Sequence, residues 1–471
     1  MNFIKAGEDR MNQYAVDFLK GLRGKRIAVC GIGRNNLPVV HQLMRYGAEV
    51  FACDRRQAAD LGDAYAELTN AGVHWHLGDD YLAHLDGMDM VLRTPGMKPY
   101  LPEFEAARAR GTVVTSEMEL FLSLCPAKVF AVTGSDGKTT TTTIIAGLLK
   151  AGGKKVWLGG NIGNPLLPVV EQVEPDDVAV IELSSFQLTM MKQSPSVGVV
   201  TNVAPNHLDW HTDMQEYIDA KKNLVLWQHG DGRAVLNADN AITAAFAADL
   251  PGQVVHFSRQ GAVARGAWYD VADDGLKFTE NGHTAEIMKS ADILIPGVHN
   301  VENYLAAIAA VYGTVDAAVI REFARTFGGV PHRSELVRER HGVKWYNDSI
   351  GSSPSRTIAG LKAFDRKVIL IAGGYDKHIP YTPLGPVAVD TVKHAILLGA
   401  TAGAIEQAIK AAGDLPITHV GSMDEAVAVA DRLASDGDIV FMSPASASFD
   451  MYKNFEERGN HFKQLVLALE G

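Results

Sequence analysis

Short, uninterrupted apolar runs ending in small or polar residues recur along this chain, each followed by a segment long enough for a helix. Near the start they are Arg26-IAVCGIG, Glu49-VFACDRR, Asp89-MVLRTPG and Thr112-VVTS. The middle has Val129-FAVTG, Asp177-VAVIELSS and Val197-GVVTNVAPNH. The last third has Lys367-VILIAGG, His394-AILLGAT, Ile417-THVGS and Asp438-IVFMSPASAS. Continuous hydrophobicity fits strands buried on both faces, and strand–helix alternation builds parallel α/β sheets. At ~150 residues per domain, 471 residues give about three domains. The three clusters predict α/β domains over 1–125, 126–329 and 330–471, with junctions near Leu124-Cys-Pro-Ala127 and Gly328-Gly-Val-Pro331, the second after a helix through Ala306–Tyr312. In open parallel sheets ligands sit beyond the carboxyl ends of the strands, and there this sequence places its unusual residues.

Composition narrows the function classes. Apolar residues at 47% and charged residues at 21% describe ordinary globular material. No run of 18 apolar residues exists, and the first twenty residues mix both charge signs without an apolar signal core, so a cytoplasmic protein without a membrane partner is expected. A net charge of −11 with no basic patch argues against nucleic acid. Any anionic ligand must therefore be held by local cations and backbone amides. Cys30, Cys53 and Cys125 lack metal-ligand spacing, and the first two read as small core residues of a reducing compartment.

Ala131-VTGSDGKTT-Thr140 follows an apolar strand and precedes a helical segment. Glycines let amides turn toward phosphate, and the helix N-terminus adds positive potential. Gly134, Ser135, Asp136, Gly137 and Thr140 form the expected cradle, Lys138 reaches the β/γ-phosphates and Thr139 holds Mg²⁺. The loop is the tight T-G-x-x-G-K-T-T, with Val132 where the general pattern wants a glycine. Glu182 ends the next run, where an acid continuing Val178-AVI needs a partner; helix capping is its structural alternative. His207 is expected to close the following strand. Thr139, Glu182 and His207 thus predict convergence on Mg²⁺, the histidine suggesting a second metal position. In Glu216-YIDAKKNLVLWQ, Tyr217, Lys221 and Leu224 share one helical face while Lys222 points elsewhere. A lysine there either snorkels or has a depressed pKa, and its neutral amine can add CO₂ to form a carbamate, an oxygen ligand on a long arm.

Taken together, TGSDGKTT, ELSSFQL, NVAPNHLDWH, YxxAK, HNVEN, PHRSE, YNDS and GGYDK resemble the Mur ligases, ATP-dependent amide-forming enzymes of peptidoglycan precursor synthesis. The motifs run in family order from about Gly31 to Phe455. The resemblance implies a Rossmann-like N-terminal domain, a central ATP-binding domain with the phosphate loop, and a Rossmann-like C-terminal domain. Within the family, the N-terminal motifs and Ser443-PASASFDMYKNFEERGNHF point to the member that adds D-glutamate to UDP-N-acetylmuramoyl-L-alanine.

By position, the resemblance implies that Lys221 is a carbamylated metal-bridging lysine and that Glu182 and His207 are metal ligands, with two Mg²⁺ ions beside ATP. Asn161 falls where substrate and phosphate are contacted. Asn300 and Asn303 would hold adenine, although Asn300 also suits helix capping. Arg333 would reach the ATP phosphates and Asp348 the ribose, an interdomain salt link being the structural alternative for both. Gly31-IGRNNLP and Asp54-RR alone are a weak dinucleotide fingerprint, because Asn36 replaces the third glycine. The resemblance instead implies a UDP-substrate site with Gly31, Gly33, Arg34, Asn35, Asp54, Arg55, Arg56 and Gly96, joined by Ser184 and Gln187. Lys377, Ser448, Phe449 and Phe455 match positions around D-glutamate. Ile350 stands where many such ligases carry lysine, and Ser352 replaces a frequent threonine. A monomer is expected, as is domain closure to assemble the site. The rivals are a sister ligase with another acceptor, including one that extends folate with glutamate, a regulatory ATPase, and a nicotinamide dehydrogenase suggested only by the Gly31 turn.

Overall fold

The computed structural model describes residues 12–33, 35–208 and 210–470. Three sheets carry the chain. The first comprises β1 (Arg26–Cys30), β2 (Glu49–Asp54), β3 (His74–Leu77), β4 (Met90–Arg93) and β5 (Val113–Thr115), in the order β3-β2-β1-β4-β5. All its pairs are parallel, and Cys30 lies opposite Cys53 in the core, both thiols free.

The second sheet comprises β6 (Lys128–Thr133), β7 (Val156–Gly160), β8 (Val178–Glu182), β9 (Val197–Val200), β10 (Arg233–Asn237), β11 (Gln253–Ser258), β12 (Gly266–Asp270), β13 (Gly275–Glu280) and β14 (His283–Lys289). Their order is β14-β13-β12-β11-β10-β9-β6-β8-β7. The strands β6, β8 and β9 are fully buried apart from Lys128, as their continuous apolar sequences require. The run from β7 to β12 is parallel, but β13 turns back antiparallel on β12. The β13–β14 turn is Asn281-Gly282 with φ of 53° and 77°, the left-handed pair a two-residue hairpin needs.

The third sheet comprises β15 (Glu335–Arg340), β16 (Val343–Asn347), β17 (Val368–Gly373), β18 (Val392–Leu398), β19 (Ile417–His419) and β20 (Ile439–Met442), ordered β15-β16-β20-β17-β18-β19. Only β15 is antiparallel to its neighbour. The expected helix through Ala306–Tyr312 is longer and starts earlier, at Val298–Val311. Compact packing groups the chain into two units, Met1–Met288 with Glu302–Arg321, and Lys289–Val301 with Glu322–Gly471. Among the described residues no helix is long and apolar enough to cross a membrane.

Candidate active site

The phosphate loop leaves β6, which lies between β8 and β9, so three strand ends meet beside it. Gly134 approaches the next strand's exit so closely that a Cβ there would lie 1.8 Å from the Thr201 hydroxyl oxygen. Thr201 donates its hydroxyl to the Asp136 carbonyl at 2.6 Å, and Asn202 accepts the Asp136 amide at 3.0 Å. Gly137 takes φ of 77° at the entry of the helix Lys138–Ala151. Lys138 folds back, its Nζ donating to the carbonyls of Gly134 and Ser135 at 2.9 Å each. Thr139 and Thr140 lie half-buried in the first turn. Asn303 reaches this helix, accepting the Thr141 hydroxyl at 3.2 Å. Asn300 lies inside the helix rather than at its cap, its amide donating to the Pro296 carbonyl at 2.6 Å.

Glu182 is the last residue of β8, level with Val132 of β6, and 1% exposed. Its Oε1 accepts from the Asn161 side-chain amide at 2.7 Å. Its buried Oε2 meets no hydrogen-bond donor among the described residues. A buried carboxylate oxygen without a donor is costly in isolation, and a hard cation accounts for it. Glu182 therefore fits a Mg²⁺ ligand. No group of three or more His, Cys, Asp or Glu among the described residues is arranged to hold a metal. The expected set, Thr139, Glu182, His207 and a carbamate on Lys221, includes only two such residues, Glu182 and His207.

Lys221 is 2% exposed on the helix Met214–Leu226, started by Asp213, whose side chain accepts the Glu216 amide. Tyr217 and Leu224 share its buried face, as the spacing predicts. The Lys221 Nζ donates to the Gly134 carbonyl at 2.8 Å and lies 4.5 Å from the centre of the Tyr217 ring. Tyr217 in turn hydrogen-bonds Ser135 of the loop at 2.9 Å. Burial, then the neighbouring Lys138 charge, pushes Lys221 down to about 7, with Asp136 and Glu182 acting the other way. An ammonium so easily discharged is a competent amine toward CO₂.

His207 differs from expectation. It does not close β9, but lies seven residues beyond it in an exposed turn, with φ of 55° and its ring edge-on to Phe186 at 5.0 Å. Beyond Val200 the backbone pairs with the phosphate loop, the Asn202 carbonyl accepting the Ser135 amide at 2.9 Å, and Pro205 withholds a donor from the stretch that leads to His207. His211, which the sequence reading passed over, is the buried histidine here; its Nε2 pairs with the Ser185 hydroxyl at 2.9 Å.

In the first domain Gly31 turns at φ of 88°. Asp54 clasps this turn by accepting the Ile32 amide at 2.8 Å and pairing with Arg56. Asn36, where a third glycine was wanted, donates to the Gly31 carbonyl at 2.9 Å. Asp54 and Arg56 thus shape the loop, while Arg55 is largely exposed near Asp79. Gly33 is exposed and Asn35 half-buried, and Arg34 lies outside the described residues. The Gly96 carbonyl accepts from Trp210 Nε1 at 3.0 Å. Ser184 and Gln187 form a reciprocal capping box on the short helix Ser185–Leu188.

In the second unit Asp348 is buried, accepting from the Ser443 hydroxyl at 2.7 Å and the Ser334 amide at 3.1 Å. Burial pushes its carboxyl up to about 6 against those bonds and the nearby Arg333 and Arg356 charges. Ser448 is buried, Lys377 and Phe449 are exposed, and Phe449 meets Tyr375 edge-on at 5.9 Å. Phe455 opens the helix Phe455–Ala468 and its carbonyl accepts the Ser349 hydroxyl at 2.8 Å. Arg458, 1% exposed, was missed: it donates to the Ser349 hydroxyl and to the carbonyls of Ser349, Ser446 and Ala447. Its i, i+4 spacing to Phe462 marks the buried face and was the available signal.

Comparison with known proteins identifies the family. Three family models match: Mur ligase MurD-like, N-terminal domain over residues 25–116; Mur ligase middle domain over 132–311; and Mur ligase, glutamate ligase domain over 332–446. A UDP-N-acetylmuramoylalanine--D-glutamate ligase of Acetivibrio thermocellus is 53% identical over 98% of this chain and all of its own length. One of the same name from Ruminiclostridium cellulolyticum is 51% identical over the same shares. Among solved structures, the UDP-N-acetylmuramate-alanine ligase MurC of Thermotoga maritima superposes with a TM-score of 0.56 at 18% identity, covering 94% of this chain and 99% of that one, a likeness of fold. With a matching model over each of the three sheets and full-length relatives above half identity, this chain belongs to the Mur ligase family.

Proposed function

We propose that this chain joins D-glutamate to the alanyl carboxylate of UDP-N-acetylmuramoyl-L-alanine, driven by ATP, in peptidoglycan precursor synthesis. Full-length identity of about half to relatives that bear this name supports the substrate pair. The observation that carries the chemistry is the buried pair beside the phosphate loop: Lys221 on the Gly134 carbonyl, and Glu182 with one oxygen unpartnered.

The alanyl carboxylate attacks the γ-phosphorus, forming a C–O–P bond as ADP leaves. The D-glutamate amine then attacks the acyl carbon, loses a proton, and the tetrahedral intermediate expels inorganic phosphate. Lys138, released from its loop carbonyls, neutralises charge on the transferring phosphoryl group while loop amides align it. Bound Mg²⁺ supplies Lewis-acid charge neutralisation at the phosphates, and Thr139, Glu182, His207 and a carbamate on Lys221 are its proposed holders. Tyr217 fixes the loop through Ser135, and Asn161 fixes Glu182. Asn300, Asn303, Arg333 and Asp348 are assigned to the nucleotide. Arg34, Asn35, Asp54, Arg55, Arg56 and Gly96, with Ser184 and Gln187, are assigned to the UDP-linked substrate, and Lys377, Ser448, Phe449 and Phe455 to D-glutamate. The test uses substrate carrying ¹⁸O in the alanyl carboxylate. One labelled oxygen must appear in the released phosphate when D-glutamate is present; unlabelled phosphate would sink the acyl-phosphate route.

A further inference from the structure

Glu117 opens the last helix of the first domain, Glu117–Leu124, yet its carboxylate is spent on the second sheet's connections. The side chain is 8% exposed, and its Oε1 accepts the backbone amides of Leu166 and Leu167 at 3.0 and 2.8 Å. These amides begin the 3₁₀ turn Leu167–Gln172, whose first donors have no partner within the turn. The residues just before them form a tight reversal after β7. Gly159 bridges to Asn164, and a Cβ on Gly159 would lie 2.5 Å from Leu166 and 2.6 Å from the Asn164 carbonyl. The same reversal presents Asn161, whose amide donates to the Glu182 carbonyl at 2.8 Å and whose side chain holds Glu182 Oε1. Leu166 cannot shift without disturbing that reversal, because Gly159 leaves no slack.

A second acid holds the far end of the 3₁₀ turn. Glu171 accepts from Gln42, Arg45 and Tyr46 at 3.1, 2.5 and 2.5 Å, all three at the end of the helix Asn36–Arg45 or directly after it. Glu171 therefore joins the first domain to the far end of the turn, and Gln42, which it holds, also donates to the Leu167 carbonyl at 2.9 Å. Only Glu117 takes the Leu166 and Leu167 amides, beside the reversal that carries Asn161.

We propose that Glu117 is a positioning residue: by fixing the Leu166 and Leu167 amides it sets the reversal that carries Asn161, and through Asn161 the carboxylate of Glu182. It thereby ties the first domain to the acyl-activation chemistry. This rests on the ligase reading above, and D-glutamate-dependent phosphate release by the unaltered protein is measured first. Its absence would count against that reading, not against the placement of Glu117.

The experiment compares Glu117→Ala, Glu117→Gln and Glu171→Gln for kcat, KM of the UDP-linked substrate, melting temperature, and Mg²⁺ affinity by calorimetry with ADP present. Glu117→Ala should lower kcat by about tenfold or more and weaken Mg²⁺ binding, with KM for the UDP-linked substrate moving by less than about threefold. Glu117→Gln, whose amide oxygen can still accept both amides, should recover most of the loss. Glu171→Gln should lower the melting temperature yet keep kcat within about twofold. Equal changes in kcat for Glu117→Ala and Glu171→Gln would overturn the proposal, as would lost turnover with unchanged Mg²⁺ affinity. If Glu117→Ala does not fold, Glu117→Asp, one methylene too short to reach both amides, takes its place with the same two results.

Discussion

At the scale of single residues, Lys221 and Asp348 are displaced from ordinary behaviour by the same cause with opposite signs. Burial disfavours charge, so it lowers a lysine and raises an aspartate. For Lys221 the consequence is chemical. Lys221→Ala should lose most turnover, because neither ammonium nor carbamate remains, and short carboxylates such as acetate or formate in the assay should restore part of it. Unaltered kcat in the unsupplemented variant would remove the carbamate from the account. For Asp348 the consequence is a pH-dependent stability. Its folded value of about 6 lies above the ordinary 3.8, so its contribution is fully present below 3.8 and lost as pH rises through 6. Relative to Asp348→Asn, the wild type should lose about 2–3 kcal/mol across that window and run parallel above it. Denaturant titrations of both proteins at several pH values check this. Lys221 was legible in the sequence because helical spacing alone puts it on the face of Tyr217 and Leu224. The single unpartnered oxygen of Glu182 was not legible, since which atoms Asn161 reaches depends on the path of the reversal between β7 and the 3₁₀ turn Leu167–Gln172.

At the scale of elements, the helix Met214–Leu226 sets the geometry of the site, holding Tyr217 against Ser135 and Lys221 against Gly134. Asp213 starts it by accepting the Glu216 amide at 2.8 Å. Asp213→Ala should cost about 1 kcal/mol of stability, the usual worth of an N-cap, and lower the melting temperature accordingly. No change in melting temperature would mean that packing alone fixes the helix start. The strands that were readable are those buried on both faces, such as β6, β8, β17 and β20, where apolar residues run unbroken. Among the strands that escaped, β14 and β15 are half-exposed, while β10 and β16 are largely buried; β13 and β14 join through Asn281-Gly282, and β15 and β16 through His341-Gly342, also at positive φ. The two hairpin turns carry their own signal, but in β14 and β15 the charged residues of His283-TAEIMK and Glu335-LVRER gave no continuous run to find. His207 was misplaced for a related reason, because a strand's apolar run does not say how long the following loop stays extended.

At the scale of the molecule, a chain of net charge −11 is required to gather ATP, a UDP-linked acid and a dicarboxylic amino acid, all anionic. Local cations and turned backbone amides at the ends of parallel strands are proposed to meet that demand, in loops after β1, β6 and β8 of one unit and after β16 and β17 of the other. The three-sheet organisation was legible from the clustering of apolar runs. The network by which Asp54, Arg56 and Asn36 fasten the first glycine turn was not, since it depends on side chains brought together across two strands. The account's central claim is the acceptor, and the most direct test is phosphate release from ATP with Mg²⁺ and UDP-N-acetylmuramoyl-L-alanine. D-Glutamate, L-glutamate, L-alanine, L-lysine and glycine are each offered as the amine. Release with D-glutamate alone is the predicted result; release with a different amine, or with no amine and no UDP-linked acid, would contradict it.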